Sequence, residues 1–234
     1  MDPKQRAGEA AVDHVKEGMV VGLGTGSTAK FFIGALASNI RAGKLRNIRC
    51  IPTSSSSERL ARESGLTVAT FSQVSHIDLT VDGADEIAPG LDLIKGMGGA
   101  LLREKIVAQN SRCLIIIADL SKLVAKLGEK SALPVEVTPF GYEASERFLK
   151  DLGSVPTLRR HPDGAVFVTD NGNYIFDCKF SGIDDAATLD RNLAGRSGIV
   201  ESGLFLQMAQ MAIVADQESF RTLTRKNFTA EVGP

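Results

Sequence analysis

The sequence has few of the features that mark secreted or membrane-spanning proteins. Its three cysteines, Cys50, Cys113 and Cys178, are far apart and form no C-x-x-C pair, which favours free thiols in a reducing compartment. No apolar run approaches the ~18 residues that suggest a membrane span, and residues 1–10 lack the apolar core of a signal peptide. We expect a cytoplasmic protein, with a short removed targeting segment as the alternative.

An excess of charge of either sign is also lacking. The chain has 27 Lys and Arg against 28 Asp and Glu, a net charge of −1, so no electrostatic reason exists to expect nucleic acid or an anionic membrane as a partner. The three histidines, His14, His76 and His161, are scattered. With 234 residues, of which 43% are hydrophobic and 24% charged, the composition indicates a soluble globular protein with one large domain, or a main domain and a small companion.

The first half of the chain alternates short apolar runs with helical patterns, which predicts a parallel α/β sheet. The expected strands cover 19–23, 48–52, 77–81 and 113–118, and the expected helices 5–16, 29–36, 58–64 and 100–109. Ser55 and Glu58 have the spacing of a capping box at the start of the third helix.

After Gly128 the order becomes strand, helix, strand, strand, helix, which predicts a small, largely antiparallel α+β domain. Its hairpin would join strands at 165–169 and 173–178 through a type I′ turn at Asn171-Gly172. From Gly203 onward we expect a helix and then a strand that return to the first domain. The predicted fold class is α/β: a Rossmann-like parallel-sheet main domain (1–128 plus 207–234) with a smaller ferredoxin-like α+β domain (129–206).

The turn from Gly24 to Thr28 stands between a strand and a helix, an arrangement that offers backbone N–H groups to an anion. Its glycine spacing also fits a relaxed dinucleotide fingerprint, but residues 52–54 lack the acid that would bind the ribose. The hydroxyls of Ser27 and Thr28 are better suited to a terminal phosphate. A tight turn that needs glycine only for steric reasons is the structural alternative, and no P-loop motif is present.

Acidic residues cluster where the third strand ends, in Asp82-Gly83-Ala84-Asp85-Glu86. Ligands of open α/β sheets bind at this edge, so the cluster is a candidate site. An EF-hand starting at Asp82 would put Ala84 and Leu93 at ligand positions, so that metal scheme fails. The alternative is a solvated turn in which an aspartate caps a helix.

A second glycine-rich turn, Lys95-Gly96-Met97-Gly98-Gly99, precedes the helix that carries Glu104. Glu104 shares a helix face with apolar residues, and the resulting desolvation would raise its pKa toward that of a general base. A surface ion pair with Arg103 is the alternative. Lys122 follows the fourth strand and is either a ligand or a solvated loop lysine.

Together these groups suit proton abstraction beside a carbonyl, in a substrate held by its phosphate. A carboxylate would move the proton between adjacent carbons, and a lysine and backbone N–H groups would stabilise the enediolate oxygen. A sugar-phosphate aldose–ketose isomerase needs this set without a cofactor or a metal, although spacing alone does not name the sugar.

Several motifs resemble the type A ribose-5-phosphate isomerases across nearly the whole chain. The specific ones are DLTVDGADEI (78–87) and LIKGMGGALLREK (93–105); GLGTGSTAKFFI (22–33), PTSSSSERLA (52–61) and ADLSKLVAKLG (118–128) add to them, with weaker similarity in 134–141 and 199–205. The resemblance implies interconversion of D-ribose 5-phosphate and D-ribulose 5-phosphate without metal or cofactor, in the pentose phosphate pathway. It also implies a homodimer or homotetramer, to which the smaller domain would contribute.

The resemblance also implies roles for individual residues. Glu104 would be the proton acceptor, and Asp82, Asp85 and Lys95 would contact the reacting end. The substrate site would further include Thr25, Gly26, Ser27, Thr28, Gly83, Ala84, Gly96, Met97, Gly98 and Lys122. Met97 departs from the glycine expected in many relatives, so its side chain either narrows the pocket or turns away.

Three rival functions remain. A sugar-phosphate-sensing regulator would keep the Gly24–Thr28 turn without needing Glu104. A CoA-transferase-like enzyme would use a carboxylate as nucleophile, and an amino-sugar-phosphate isomerase would usually recruit a histidine.

Overall fold

The computed structural model describes residues 1–228. Its helices are α1 (Pro3–Ala11), α2 (Ser27–Arg41), α3 (Ser55–Glu63), α4 (Leu101–Gln109), α5 (Tyr142–Asp151) and α6 (Ala186–Ala194). Its strands are β1 (Val20–Leu23), β2 (Arg49–Pro52), β3 (Leu79–Asp82), β4 (Glu86–Ala88), β5 (Asp92–Ile94), β6 (Leu114–Asp119), β7 (Leu133–Val137), β8 (Val155–Leu158), β9 (Tyr174–Lys179), β10 (Ile199–Ser202), β11 (Leu204–Phe205), β12 (Met211–Ala215) and β13 (Phe220–Thr224).

The main sheet has the order β13-β12-β6-β3-β1-β2 within the described residues. All neighbouring strands are parallel except β12 and β13. The chain passes from β1 to β2 on one side and then to β3 on the other, so the strand order reverses between β1 and β3. Ligands of open α/β sheets bind at such a reversal, beyond the carboxyl ends of the strands. The predicted parallel-sheet architecture is therefore confirmed.

The helices α1 and α2 pack closely because a glycine lies at their contact. Asp2 accepts a hydrogen bond from the Lys4 backbone and Pro3 begins α1, a favourable helix start. A Cβ at Gly8 would lie 2.8 Å from the backbone nitrogen of Phe32 in α2, so glycine permits this close helix contact. The helix predicted over 5–16 begins earlier, at Pro3, and ends at Ala11, where a single 3₁₀ turn follows it.

The chain from β7 to β10 forms a second, antiparallel sheet with the order β10-β7-β9-β8. With α5 and α6, its β-α-β-β-α-β sequence matches the ferredoxin-like motif. This part of the predicted fold class is confirmed. A third sheet, β11-β5-β4, is formed by two strands from the segment between β3 and β6 and by one strand that follows β10. The domain boundaries remain a prediction, and residues 229–234 of the expected main domain lie outside the described residues.

The helix predicted to follow Gly203 is wrong. Residues 204–205 instead form β11, paired with Leu93 and Ile94 of β5. The Gly203 backbone also accepts from Lys95 N at 2.9 Å and donates to the Pro134 carbonyl at 2.7 Å. The apolar pattern reflects burial, and strand pairing satisfies the backbone groups that a helix would have paired internally.

Two predictions of local geometry are also wrong. The capping box of α3 is formed by Ser54 and Ser57, not by Ser55 and Glu58; the Glu58 carboxylate binds Arg62 at 2.8 Å. Each of the four consecutive serines (54–57) is a suitable N-cap residue, and in the structure Ser54 takes this position.

The predicted hairpin has only one of its two strands. Residues 165–169 form an isolated bridge, Arg160 with Val166, instead of a strand. Gly172 N donates to the Thr169 carbonyl at 2.9 Å, so Asp170 and Asn171 occupy the centre of the turn. Gly172 follows with φ +80° and Asn171 has no positive φ, whereas a type I′ turn requires positive φ at both of its central residues.

Candidate active site

The candidate site lies beyond the carboxyl ends of β1 and β3, where the order of the main sheet reverses. A cavity of about 110 Å³ opens there. It is lined by Lys4, Thr25, Gly26, Ser27, Thr28, Gly83, Ala84, Asp85, Lys95, Gly96, Gly98, Glu104 and Lys122. The structure therefore brings together residues from four separate sequence motifs.

Lys95 is the central cation of the site, and its side chain is only 3% exposed. Its Nζ lies 2.9 Å from Asp82 Oδ2 and 3.2 Å from Glu104 Oε2, and it donates to the Gly83 carbonyl at 2.6 Å. Burial alone disfavours the charged ammonium, but the nearby carboxylates of Asp82 and Glu104 outweigh this effect, so the pKa of Lys95 is raised. Lys95 stays a cation across the physiological pH range.

Asp82 contacts Lys95 and joins the carboxyl ends of β1 and β3. Its Oδ1 accepts from Thr25 N at 3.1 Å and from Gly83 N at 2.7 Å. A Cβ at Gly24 would lie 2.1 Å from the same oxygen. Glycine at position 24 is therefore required so that the turn after β1 can approach the carboxylate.

Glu104 enters the cavity from the first turn of α4 and is 4% exposed. Its Oε2 is near Lys95 Nζ but has no well-aligned hydrogen-bond donor among residues 1–228. Burial raises the pKa of Glu104, the negative charge of Asp82 raises it further, and the value reaches about 8 despite the opposing attraction of Lys95. This carboxyl group can take up and release a proton near neutral pH.

Asp85 and the glycine-rich turn form another part of the cavity wall. Asp85 Oδ2 accepts from Met97 N at 3.0 Å. A Cβ at Gly99, where φ is +81°, would lie 2.5 Å from the Phe167 ring. Met97 itself is 49% exposed and its side chain is not part of the cavity lining, so it turns away and does not narrow the cavity.

The other end of the cavity is suited to an anion. The first N–H groups of α2, a 15-residue helix, have no partners within the helix and carry the positive end of its dipole. Lys4 and Lys122 line the same cavity, and Lys4 Nζ lies 3.2 Å from Ser27 Oγ. A phosphate group fits this combination of backbone donors, hydroxyls and cations.

Some residues of the site were not predicted from the sequence. Lys4 belongs to α1, and no local pattern connects it with a turn 20 or so residues later. Thr53 and Ser54 belong to one of the motifs of the resemblance but received no role in the site, yet both hydroxyls lie 2.8 Å from Thr25 Oγ1. Their position at the end of β2, the strand beside β1, is the signal that points to them.

Two other acids of this stretch, Glu86 and Asp92, have structural contacts. Buried Glu86 accepts from Gly128 N and Lys130 N, each at 2.7 Å. Asp92 accepts from Gln207 N at 2.8 Å. Within residues 1–228 no three His, Cys, Asp or Glu side chains are grouped to ligate a metal ion, and no helix is long and apolar enough to span a bilayer.

Comparison with known proteins identifies the family. The family model described as ribose 5-phosphate isomerase A (phosphoriboisomerase A) matches residues 49–219. The chain belongs to this family. A ribose-5-phosphate isomerase A from Roseiflexus sp. (strain RS-1) is 50% identical over 212 residues, 91% of each chain.

Solved structures of similar proteins agree with this family and with the fold. A ribose 5-phosphate isomerase from Plasmodium falciparum superimposes with a TM-score of 0.92 at 39% identity, covering 95% of this chain and 98% of the other. A D-ribose-5-phosphate isomerase in complex with phospho-erythronic acid gives a TM-score of 0.93 at 37% identity, covering 96% and 98%.

Proposed function

We propose that this chain interconverts D-ribose 5-phosphate and D-ribulose 5-phosphate through an enediolate. The observation that carries the proposal is the pairing of a buried carboxylate, Glu104, with a buried cation, Lys95, in a cavity whose far end suits a phosphate. Family membership and the phospho-erythronic acid bound by a relative support the same substrate class.

Each residue has one step in the proposed reaction. Glu104 removes the proton from C2 of the aldose, and the electron pair of that bond forms the C1–C2 double bond while charge develops on O1. The Lys95 ammonium stabilises this charge. Asp82 and Asp85 pass the O2 proton to O1, and Glu104 then returns its proton to C1 to give the ketose.

The phosphate is assigned to the other end of the cavity. Ser27, Thr28 and the first N–H groups of α2 would bind it, with Lys4 and Lys122 supplying positive charge. We include Thr25 in the substrate site because of its hydroxyl contacts, and Gly26 because it directly precedes α2. Gly83, Ala84, Gly96 and Gly98 complete the wall.

Incubation with ribose 5-phosphate tests the proposal directly. We expect ketose formation together with exchange of the C2 proton with solvent, because the abstracted proton resides on a carboxyl group in an open cavity. A sugar-phosphate sensor would bind the compound without either change. Binding without turnover in the wild-type protein would therefore favour the sensor and reject the isomerase.

Metal independence is a separate part of the proposal. The negative charge of the buried carboxylates does not require a metal ion, because the Lys95 ammonium contacts both Asp82 and Glu104. Prolonged chelator treatment followed by desalting should leave the initial rate unchanged. A loss of activity that added divalent ion restores would contradict this mechanism.

We further propose a cytoplasmic homodimer or homotetramer in which the unit from 129 to 206 contributes to assembly. Two large apolar side chains of this unit, Phe140 and Val155, are 94% and 68% exposed, and buried partners for such groups are a common reason for association. Light scattering at micromolar concentration should give two or four times the mass of the chain. A monomeric mass would reject the assembly without affecting the proposed reaction.

A further inference from the structure

The loop from 169 to 173 contains the Asp170-Asn171-Gly172 motif but has no step in the proposed reaction. A buried acid of the small sheet anchors it. Glu136 is fully buried, and its Oε1 accepts from Thr169 Oγ1 and Asn173 Nδ2 at 2.9 Å each and from Asn171 Nδ2 at 3.3 Å. Three donors on one carboxylate oxygen hold this loop in a single conformation.

From this anchor the loop reaches the helix that carries the proposed base. Arg103 donates through Nε to Asn171 Oδ1 at 2.9 Å and through Nη2 to the Asp170 carbonyl at 2.8 Å. Its Nη1 also lies 3.4 Å from Asp170 Oδ2. Arg103 directly precedes Glu104 in α4, so the contact is made within one residue of the base.

The same aspartate also contacts the opposite side of the cavity. Asp170 Oδ2 accepts from Ser55 N, the first residue of α3, at 2.8 Å. The preceding residue, Ser54, lies 2.8 Å through its hydroxyl from Thr25 Oγ1 in the cavity lining. One side chain of the small sheet thus joins the beginnings of α3 and α4.

We propose that Asp170 and Asn171 are positioning residues that act through Arg103 to hold the Glu104 carboxylate at its reacting distance. This inference rests on the proposed isomerase function. Glu104 Oε2 has no aligned hydrogen-bond donor among the described residues, so the placement of α4 determines where the carboxylate lies. A displacement of about 1 Å at a reacting group can cost up to roughly 100-fold in rate.

Replacing Arg103 tests this role because methionine keeps the length of the side chain and removes its donors. For Arg103→Met we expect kcat to fall roughly 10- to 100-fold, while KM changes by less than about 3-fold because the phosphate end is untouched. Arg103→Lys keeps one donor and should give an intermediate kcat. Arg62→Met is the matched control, since Arg62 lies on α3 and its side chain hydrogen-bonds only to Glu58 of its own helix among the described residues; its kcat should equal that of the wild type.

A double-mutant comparison separates positioning from general stability. Asn171→Ala should lower kcat, and combining it with Arg103→Met should add little, because both changes remove the bond from Arg103 Nε to Asn171 Oδ1. Asp170→Asn removes the charge that faces Arg103 Nη1 and should also lower kcat. Each variant is assayed at least about 15 °C below its own measured Tm. Several kcal/mol of destabilisation would lower Tm by roughly this amount, so the variants remain folded during the assay.

The outcomes separate this inference from the proposed function. If the Arg103 and Asn171 variants have lower Tm but wild-type kcat, the contact is structural and the inference is wrong while the isomerase stands. Additive losses of kcat in the double variant would also reject a shared contact. If the wild-type protein does not isomerise ribose 5-phosphate, both proposals fail.

Discussion

The Glu104 carboxyl has a cation and an anion nearby: Lys95 Nζ lies 3.2 Å from its Oε2, and the Asp82 carboxylate, which contacts the same ammonium, repels a second negative charge. Burial adds to this repulsion and raises the pKa of Glu104 to about 8. A base of this pKa is strong enough to take a carbon-bound proton and is still partly ionised at neutral pH. The same environment thus makes the group both reactive and costly to ionise.

Glu104→Gln removes the base while keeping the shape of the side chain. We expect kcat to fall by roughly 10² to 10⁴-fold with little change in KM, because the phosphate contacts remain. Steady-state kinetics with ribose 5-phosphate measures both values. The control is Glu143→Gln, an exposed acid in the first turn of α5, which should behave as the wild type. Near-normal turnover in the Glu104→Gln variant would show that Glu104 is not the catalytic base.

The pH dependence of the wild-type enzyme follows from the same pKa. Only the ionised carboxylate accepts a proton, so kcat/KM should rise with pH and level off above about 8. The residual activity of Glu104→Gln should lack this rise.

Gly24 is needed for the approach of the first turn to Asp82. For Gly24→Ala we expect a large loss of both activity and stability, because the new Cβ would lie 2.1 Å from Asp82 Oδ1. Gly34→Ala is the matched control: Gly34 is in the middle of α2 with no atom within 4 Å of an added Cβ, so the change should be neutral or stabilise by up to about 1 kcal/mol. The measurements are the Tm and the kcat of both variants. A Gly24→Ala variant with the Tm and kcat of the wild type would show that the turn can move away from Asp82 and does not require glycine.

At the scale of elements, the beginning of α2 and the lysines beside it form the anion-binding end of the cavity. Lys122→Ala should mainly raise KM, by about 10-fold for the loss of roughly 1–2 kcal/mol of charge-assisted contact, with a smaller effect on kcat. Competitive inhibition by inorganic phosphate should weaken in parallel. Lys126→Ala is the control, since this exposed lysine pairs with Asp184 outside the cavity lining. An unchanged KM would make Lys122 a solvated loop residue.

Sequence patterns predicted elements well where one local cause dominated. The runs that form β1, β3 and β6 are apolar because the covered sheet buries them on both faces, and their carboxyl ends mark the site. The residues after Gly203 gave the same apolar signal but pair with β5. Burial alone does not distinguish a helix from a strand, so only the tertiary partner decides the outcome.

Long-range contacts account for what the sequence could not predict within the site. Thr25, Glu104 and Lys122 follow recognisable strands and turns, so their convergence could be inferred. Lys4 and Arg103 depend on how α1 packs on α2 and on where the small sheet meets α4. No spacing in the chain encodes these contacts, because each joins elements that are far apart in sequence.

At the scale of the whole molecule, the buried charges of the site lower the stability of the fold at alkaline pH. Glu104 has a folded-state pKa of about 8 against 4.5 for the ordinary carboxyl, so the folded protein binds this proton more tightly than the unfolded chain. Below pH 4.5 the group is protonated in both states and costs nothing. Between these pKa values the unfolded chain ionises first and stability falls as pH rises, until the full cost is reached above about 8.

Glu104→Gln should therefore stabilise the protein although it lowers turnover. Since one pKa unit corresponds to ~1.4 kcal/mol and ~1 kcal/mol shifts Tm by about 2–4 °C at this chain length, we expect a Tm gain of at least roughly 3 °C at pH 8.5. The gain should shrink toward zero at pH 4.5, where the wild-type carboxyl is neutral as well. Thermal unfolding of both proteins across this range measures the difference. A gain independent of pH would mean that better packing of the amide, and not removal of a buried charge, is responsible, and a loss at pH 8.5 would show that the Lys95–Glu104 attraction exceeds the cost of burial.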